Sequence, residues 1–214
     1  KGFVSSVYNR LEGQIDTAKL SKYAELSLAQ ADIEIVRGIE YFAHTEDDAK
    51  VQIETSMGTF NSKHLLFCTN GFSKKLLPEL TVEPARAQVL ITKPIENLNL
   101  KGTFHMDRGF YYFRNFENRI LLGGGRQLAL GEEQTEDFGN TDLIMNRLKE
   151  ILRENLLPNT QHKVDLEWSG IMGVGQDKNP IIKRLSPRSA CAVKLGGMGV
   201  AIGTQVGKDL ADLH

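Results

Sequence analysis

Between Asp16 and Ala31, apolar residues recur at helical spacing: Leu20, Tyr23, Ala24, Leu28 and Ala31 can share one face, and Asp16 or Thr17 can cap the start. Shorter apolar runs follow at residues 33–36, 39–43, 51–55 and 65–68, punctuated by Glu46-Asp47-Asp48 and Met57-Gly58, and they predict strands separated by turns. Asn70-Gly71 closes this group, and a short helix is expected from there to Leu77, before Pro78. From Ala85 the texture changes. Residues 87–92, 110–116 and 119–122 read as strands, with Glu117-Asn118 as a hairpin turn. Tyr111, Tyr112 and Phe113 make the middle one aromatic. Residues 141–156 carry a well-formed helical stripe of Leu143, Ile144, Leu148, Ile151, Leu152 and Leu156, with Pro158 just past its end. Residues 164–171 and 181–183 read as strands. The tail supplies an apolar strand around Cys191, a glycine turn at Gly196-Gly197-Met198-Gly199, and a helix to Leu213. No internal repeat interrupts this order, which predicts an α+β fold with an antiparallel sheet in the middle.

Composition narrows the function classes. The 214 residues carry a formal net charge of −1, so no basic surplus points to nucleic acid or an anionic membrane as partner. No apolar run approaches the roughly 18 residues that span a bilayer. The chain opens Lys1-Gly2-Phe3 without an initiator Met or a signal peptide, and reads as the interior of a longer protein, although a processed end would look the same. Cys68 and Cys191 sit inside apolar runs and are expected as two reduced, buried thiols of a cytoplasmic protein. His44, His64, His105, His162 and His214 are scattered, no pair has metal-ligand spacing, and no metal is expected.

Several motifs allow two readings. The Gly196–Gly199 turn and the helix start behind it bring free N–H groups close to any ligand placed there. A dinucleotide fingerprint would require a further strand and an acidic residue about 20 positions on. The chain stops at His214, so the turn suits a cofactor whose main cradle lies elsewhere. Gly123-Gly124-Gly125-Arg126 is either a phosphate approach or a strand end bending away from its sheet. Trp168-Ser169-Gly170-Ile171-Met172-Gly173 reads as a core tryptophan beside a bulge. Tyr111 and Arg114 are three apart in a strand and face opposite ways, and a tyrosine on a half-buried strand is a core residue at least as readily as a substrate ligand. Glu132-Glu133 with Glu136-Asp137 reads as a solvated loop.

Taken in order, these segments resemble the C-terminal two thirds of a D-amino-acid-oxidase-type FAD-dependent oxidoreductase, the group of glycine oxidase, sarcosine oxidase and gamma-glutamylputrescine oxidase. Gly13-Gln14-Ile15-Asp16 is similar to the family's Gly-Gln-Leu-Asp-Pro lead-in to a helix, with Thr17 in place of Pro. Leu65 to Gly71 resembles its apolar strand ending in Ala-Thr-Gly or Ala-Thr-Asn, and Pro84-Ala85-Arg86-Ala87-Gln88 its Pro-x-[Arg/Lys]-Gly-Gln stretch. Residues 110–125 are similar to its tyrosine-rich strand, hairpin and Gly-Gly, and Trp168 to Pro180 to Trp-x-Gly followed by Asp-x-x-Pro. Leu195-Gly196-Gly197-Met198-Gly199 stands where the family has Gly-x-Ser-Gly-His-Gly.

The resemblance implies a division into a partial FAD-binding domain (residues 1–80 and 168–214) and a substrate-binding domain (81–167) built on the antiparallel sheet. The family's N-terminal Rossmann βαβ unit is missing from this span, so the chain alone is expected to hold FAD weakly or not at all, and that N-terminal segment of the same protein becomes an expected partner. It also implies hydride transfer from the C–N carbon of a small-molecule amine or amino acid to noncovalent FAD. Cofactor-binding roles carry over to Tyr41 near the adenine, to Thr69, Asn70 and Gly71 near the ribose and pyrophosphate, and to Gly170, Gly197, Met198, Gly199 and Val200 at the flavin ring. Substrate-side roles carry over to Tyr111, Arg114 and Met172. Met172 stands where amino-acid-oxidising members place a carboxylate-binding arginine, Arg114 is a candidate replacement, and Lys194 stands where the family usually has glycine. Two other readings stay open: a non-catalytic α+β binding module, and a flavin dehydrogenase of a hydroxy acid or polyol.

Overall fold

The computed structural model describes residues 2–213. In chain order the elements are α1 (Thr17–Gln30), β1 (Tyr41–Glu46), β2 (Val51–Thr55), β3 (Gly58–Ser62), β4 (Leu65–Phe67), α2 (Ser73–Leu76), β5 (Glu83–Thr92), β6 (Thr103–Met106), β7 (Tyr111–Phe116) and β8 (Arg119–Gly124). They are followed by α3 (Asp142–Ile151), β9 (Val164–Val174), β10 (Ile181–Arg184), β11 (Ser189–Val193) and α4 (Gly199–Ala211). The fold is α+β, as the order of elements implies. The chain forms two compact units: residues up to Gln14 with Glu83–Met172, and Ile15–Val82 with the segment from Gly173 onward. The expected division runs instead at 80/81 and 167/168, and it assigned the stretch up to Gln14 to the FAD-binding part, not to the sheet unit. The first stretch packs in the sheet unit, where the Phe3 ring lies 6.4 Å from that of Phe113 and Gln14 Nε2 donates to the Asn115 carbonyl.

The first unit is built on a five-stranded sheet in the order β6-β7-β8-β5-β9. Its centre is the β7–β8 hairpin around Glu117-Asn118, where Tyr112 pairs with Gly123 and Phe116 with Arg119. Strand periodicity sends Tyr111 and Phe113 to one face with Leu90, Ile120 and Leu122. The stripe of α3 (Ile144, Met145, Leu148 and Ile151) packs on that face and completes the core. Tyr112 and Arg114 take the other face. The expected helix to Leu156 loosens after Ile151 into one turn of π-helix, Leu152–Leu156. The glycines that end β8 are there for packing: Gly124 has φ +116°, and a Cβ on it would strike the Phe110 carbonyl and lie 2.8 Å from Tyr111 Cα.

The charge run in this unit is not a solvated loop. Glu133 is fully buried. Arg86 grips it with Nη2 donating to Oε1 at 2.8 Å and Nε to Oε2 at 3.0 Å, and Gln88 Nε2 adds a third bond at 2.9 Å. Gln88 also donates to Thr141 Oγ1 and accepts from Thr141 N, which ties the start of α3 to β5. A buried carboxylate is tolerable because all its partners are supplied by one strand.

The second unit holds an antiparallel meander, β1-β2-β3, and a mixed sheet, β10-β11-β4, in which β11 runs parallel to β4. β11 is buried on both faces. Cys191 and Val193 meet Phe67, Leu77, Leu80 and Val82, while Ala190 and Ala192 meet Val206 and Leu210 of α4. Arg188 ties the meander to this sheet by donating to the carbonyls of Asp47, Asp48 and Lys63. Asp16 caps α1 by accepting from Ala18 N and Lys19 N, yet no residue of that helix is buried.

Several expectations fail for physical reasons. Residues 33–36 are not a strand; Ile33, Ile35 and Val36 are exposed and unpaired in any described sheet. β3 and β6 lacked an apolar signal because both are mostly exposed strands held by their neighbours. Cys68 lies just beyond the end of β4 and is exposed, so only Cys191 is a buried thiol. Trp168 is 39% exposed and not a core residue.

Candidate functional site

In the second unit, three segments converge on the glycine turn. Leaving β11, Lys194 adopts φ +65°, and Gly196 and Gly197 follow at +58° and +81°. The turn is held by its first two amides: Leu195 N donates to Asn70 Oδ1 at 3.0 Å, and Gly196 N donates to the Gly173 carbonyl at 2.9 Å. Gly173 must be glycine for this approach, since a Cβ there would lie 2.7 Å from Asn70 Oδ1. Met198 N folds back on the Leu195 carbonyl at 2.8 Å. The amides of Gly197, Gly199 and Val200 then donate to no acceptor among the described residues, and no side chain caps α4. The turn therefore presents three donors at the positive end of a 13-residue helix.

The surroundings suit an electron-rich ligand. The nearby carboxylate, Asp177, is engaged by Lys194 Nζ at 2.9 Å and accepts from Asn179 N at 2.8 Å. Its carboxyl is held below the usual carboxylate range, first by the Lys194 bond and then by the Asn179 amide. This donor set fits the carbonyl and nitrogen edge of a flavin ring.

The other predicted cofactor residues are distributed unevenly. Asn70 joins the turn directly through its side chain. Thr69 Oγ1 is hydrogen-bonded to Ser73 Oγ at 2.9 Å, and Gly71 is buried in the short helical turn Asn70–Phe72. The Tyr41 hydroxyl is bonded to His44 Nδ1 at 2.8 Å and its ring packs edge-on against Phe67, so its side chain serves the second unit's own core. Gly170 and Met172 lie on β9 in the first unit, and a Cβ on Gly170 would meet open space.

The first unit separates the substrate-side candidates. Tyr111 is 2% exposed, belongs to the core and is hydrogen-bonded to Arg147. Arg114 is on the opposite face with its guanidinium carbon 5.8 Å from the Phe116 ring centre. Beside it on that face is Tyr112, whose ring covers Gly123 so closely that a Cβ there would lie 2.6 Å from it. Burial pushes the Tyr112 phenol up, which keeps it protonated and a donor. Tyr112 is a residue that sequence reasoning passed over; its signal was the glycine directly across the hairpin. Two surface depressions, of about 630 and 520 Å³, lie around α3 and its end and contain none of the predicted residues. Among the described residues there is no metal-holding cluster and no helix long and apolar enough to cross a membrane. His214 lies outside the described residues.

The profile of the FAD dependent oxidoreductase (DAO) family matches residues 1–213. Among solved structures, L-proline dehydrogenase from P. horikoshii superposes with a TM-score of 0.75 at 18% identity, over 92% of this chain and 55% of that chain. Glycine oxidase from Geobacillus kaustophilus gives 0.72 at 18%, over 91% and 52%. Iminodiacetate oxidase from Chelativorans sp. BNC1 gives 0.68 at 16%, over 90% and 53%. At such identities the superpositions speak to fold. The chain spans about half the length of these structures. No curated protein matches it by sequence. With the family profile matching from residue 1 to residue 213, and with the ordered motifs, the α+β fold and the donor-lined turn in agreement, the chain belongs to the FAD dependent oxidoreductase family.

Proposed function

We propose that these residues are the substrate-facing sheet and the carboxyl-terminal share of the flavin domain of an enzyme that oxidises the C–N carbon of an amine or amino acid. The observation that carries this reading is the set of amides at Gly197, Gly199 and Val200 that find no acceptor among the described residues, on a turn held in place by Asn70 and Gly173. FAD, when bound, supplies the hydride acceptor. The chain's part is to orient it and to stabilise the negative charge that reduction brings to the ring edge, which fixed N–H donors at a helix start do without reorganising. The family resemblance implies noncovalent binding of the cofactor, in keeping with a stretch from Trp168 to Gln176 that holds no cysteine.

On the substrate side, the face of the first unit's sheet opposite α3 carries Tyr112 as a protonated donor and Arg114 as a cation. Tyr111 is too deep in the core for that role, which passes to Tyr112. Met172 cannot supply a bidentate carboxylate clamp, so substrate is held through its amine and chain. The outer edge of β4 carries the exposed Leu66, and α1 buries nothing, both of which fit a domain completed by a further segment of the same protein. The chain alone is expected to retain little FAD for that reason. Both cysteines are free, which suits the reducing cytoplasm.

The test uses protein expressed from the complete reading frame. It should purify yellow, and an anaerobic panel of amines and amino acids should bleach its flavin absorbance. Bleaching by hydroxy acids or polyols alone would replace the substrate class, and a colourless protein that takes up no FAD would leave a non-catalytic binding module.

A further inference from the structure

Lys194 is an unexpected residue at its position. Glycine adopts a φ of +65° freely, whereas a lysine there carries backbone strain that the surroundings must offset. The side chain is also hidden, 6% exposed, immediately after a strand whose residues are all buried. Its alkyl chain lies flat on Gly175, where a Cβ would come within 2.7 Å of Lys194 Cδ and 3.1 Å of the Thr81 carbonyl. Its Nζ reaches Asp177 at 2.9 Å. Asp177 in turn closes the tight turn to Asn179.

The pair joins the same two segments that the Gly196–Gly173 hydrogen bond joins. One link is backbone to backbone at the start of the 173–179 stretch. The other is side chain to side chain four residues further on. Without the pair the loop after β11 is held only through its own amides, at Asn70 and Gly173; the pair adds a side-chain anchor one residue ahead of them. The amides of Gly197, Gly199 and Val200 come directly after the linked residues Lys194 and Gly196, so their direction is fixed with the loop.

We propose that Lys194, acting through Asp177, is a positioning residue that aims the donor amides of the glycine turn. The purpose of that aim rests on the proposed flavin role of the turn, but the clamp itself does not. Lys194 Nζ is committed to Asp177. Its work is to keep the turn in the direction its donors need before any ligand arrives, which lowers the ordering cost on binding.

The test is amide hydrogen exchange on the full chain, comparing the wild type with Lys194→Ala, Lys194→Gly, Lys194→Arg and Asp177→Asn. If the pair is the clamp, Lys194→Ala and Asp177→Asn raise exchange at Leu195 and Gly196 at least about tenfold and leave β11 and the last turns of α4 unchanged. Lys194→Arg restores protection by reaching Asp177. Lys194→Gly removes the strain and unfolds at a higher temperature than Lys194→Ala, yet exchanges as fast at the turn, which separates the clamp from a purely structural role. Exchange that is unchanged in both Lys194→Ala and Asp177→Asn, or raised throughout the second unit, overturns the proposal. Should Lys194→Ala fail to fold, the exposed Asp177→Asn carries the decision. A second measurement uses protein from the complete reading frame: Lys194→Ala should weaken FAD binding and shift the flavin spectrum, and Lys194→Arg should restore both. If that protein holds no FAD at all, the flavin reading falls, and the exchange result still decides whether the clamp exists.

Discussion

Removing the Glu133 carboxylate should destabilise the sheet unit far more than its place in an acidic run suggests. Glu133 has no exposed surface, and Arg86, whose side chain is 12% exposed, depends on it for a bidentate bond. Glu133→Ala strands that guanidinium and one donor of Gln88 away from water. Breaking one partner of a buried pair costs about 3–5 kcal/mol. For a chain of this length each kcal/mol lowers the melting temperature by about 2–4 °C, so a loss of roughly 6–20 °C is expected. Calorimetry on wild type, Glu133→Ala and the double variant Arg86→Met/Glu133→Leu distinguishes a stranded charge from a lost contact. The double variant fills similar volume with apolar atoms and keeps the Gln88–Thr141 bonds, so it should recover most of the loss. Acid adds a second check. Burial raises the Glu133 carboxyl, but the bonds from Arg86 and Gln88 and the Arg86 charge outweigh it, and the net shift is downward. A folded-state value below the unfolded one, about 4.3 for glutamate, gives a contribution fully present above that pH and lost as pH falls through the folded value. The wild-type advantage over Glu133→Gln should shrink in that window. If the double variant melts as low as Glu133→Ala, or if Glu133→Ala melts with the wild type, the argument is refuted.

Other consequences can be measured directly. Gly124→Ala drives a methyl group into the Phe110 carbonyl at φ +116°, and should cost about 2 kcal/mol or more; an unchanged urea midpoint would contradict that. Asn70→Ala leaves the Leu195 amide without its acceptor, for a loss of about 1 kcal/mol and faster exchange at Leu195; full protection in the variant would show that the bond is dispensable. Asp16→Ala removes the α1 cap, worth about 1 kcal/mol to that helix. Because α1 buries nothing, the far-ultraviolet signal should fall while the main melting transition stays in place, and a shift of that transition would show that the helix is packed after all.

Much was legible in the chain by itself. Asp16 ahead of a helical stripe, Glu117-Asn118 between two apolar runs, the α3 stripe and the strand–glycine–helix tail all appear where local patterning puts them, because each depends on neighbours within a few positions. The ordered motifs were enough to suggest the family, and the family match agrees. Local patterning could not say which way a side chain on a strand would face once the sheet had formed. Tyr111 and Tyr112 are equivalent as letters; α3 covers one face of β7 and so buries the first, while the second lies half-buried on the other face. Glu133 looked solvated because its partners, Arg86 and Gln88, lie more than forty residues away in sequence. Lys194 looked like a simple departure from glycine until Asp177 and Gly175 were brought beside it. The tertiary structure alone decided these, because burial, charge pairing and the use of backbone amides are set by contacts between segments distant in sequence, which no local period encodes.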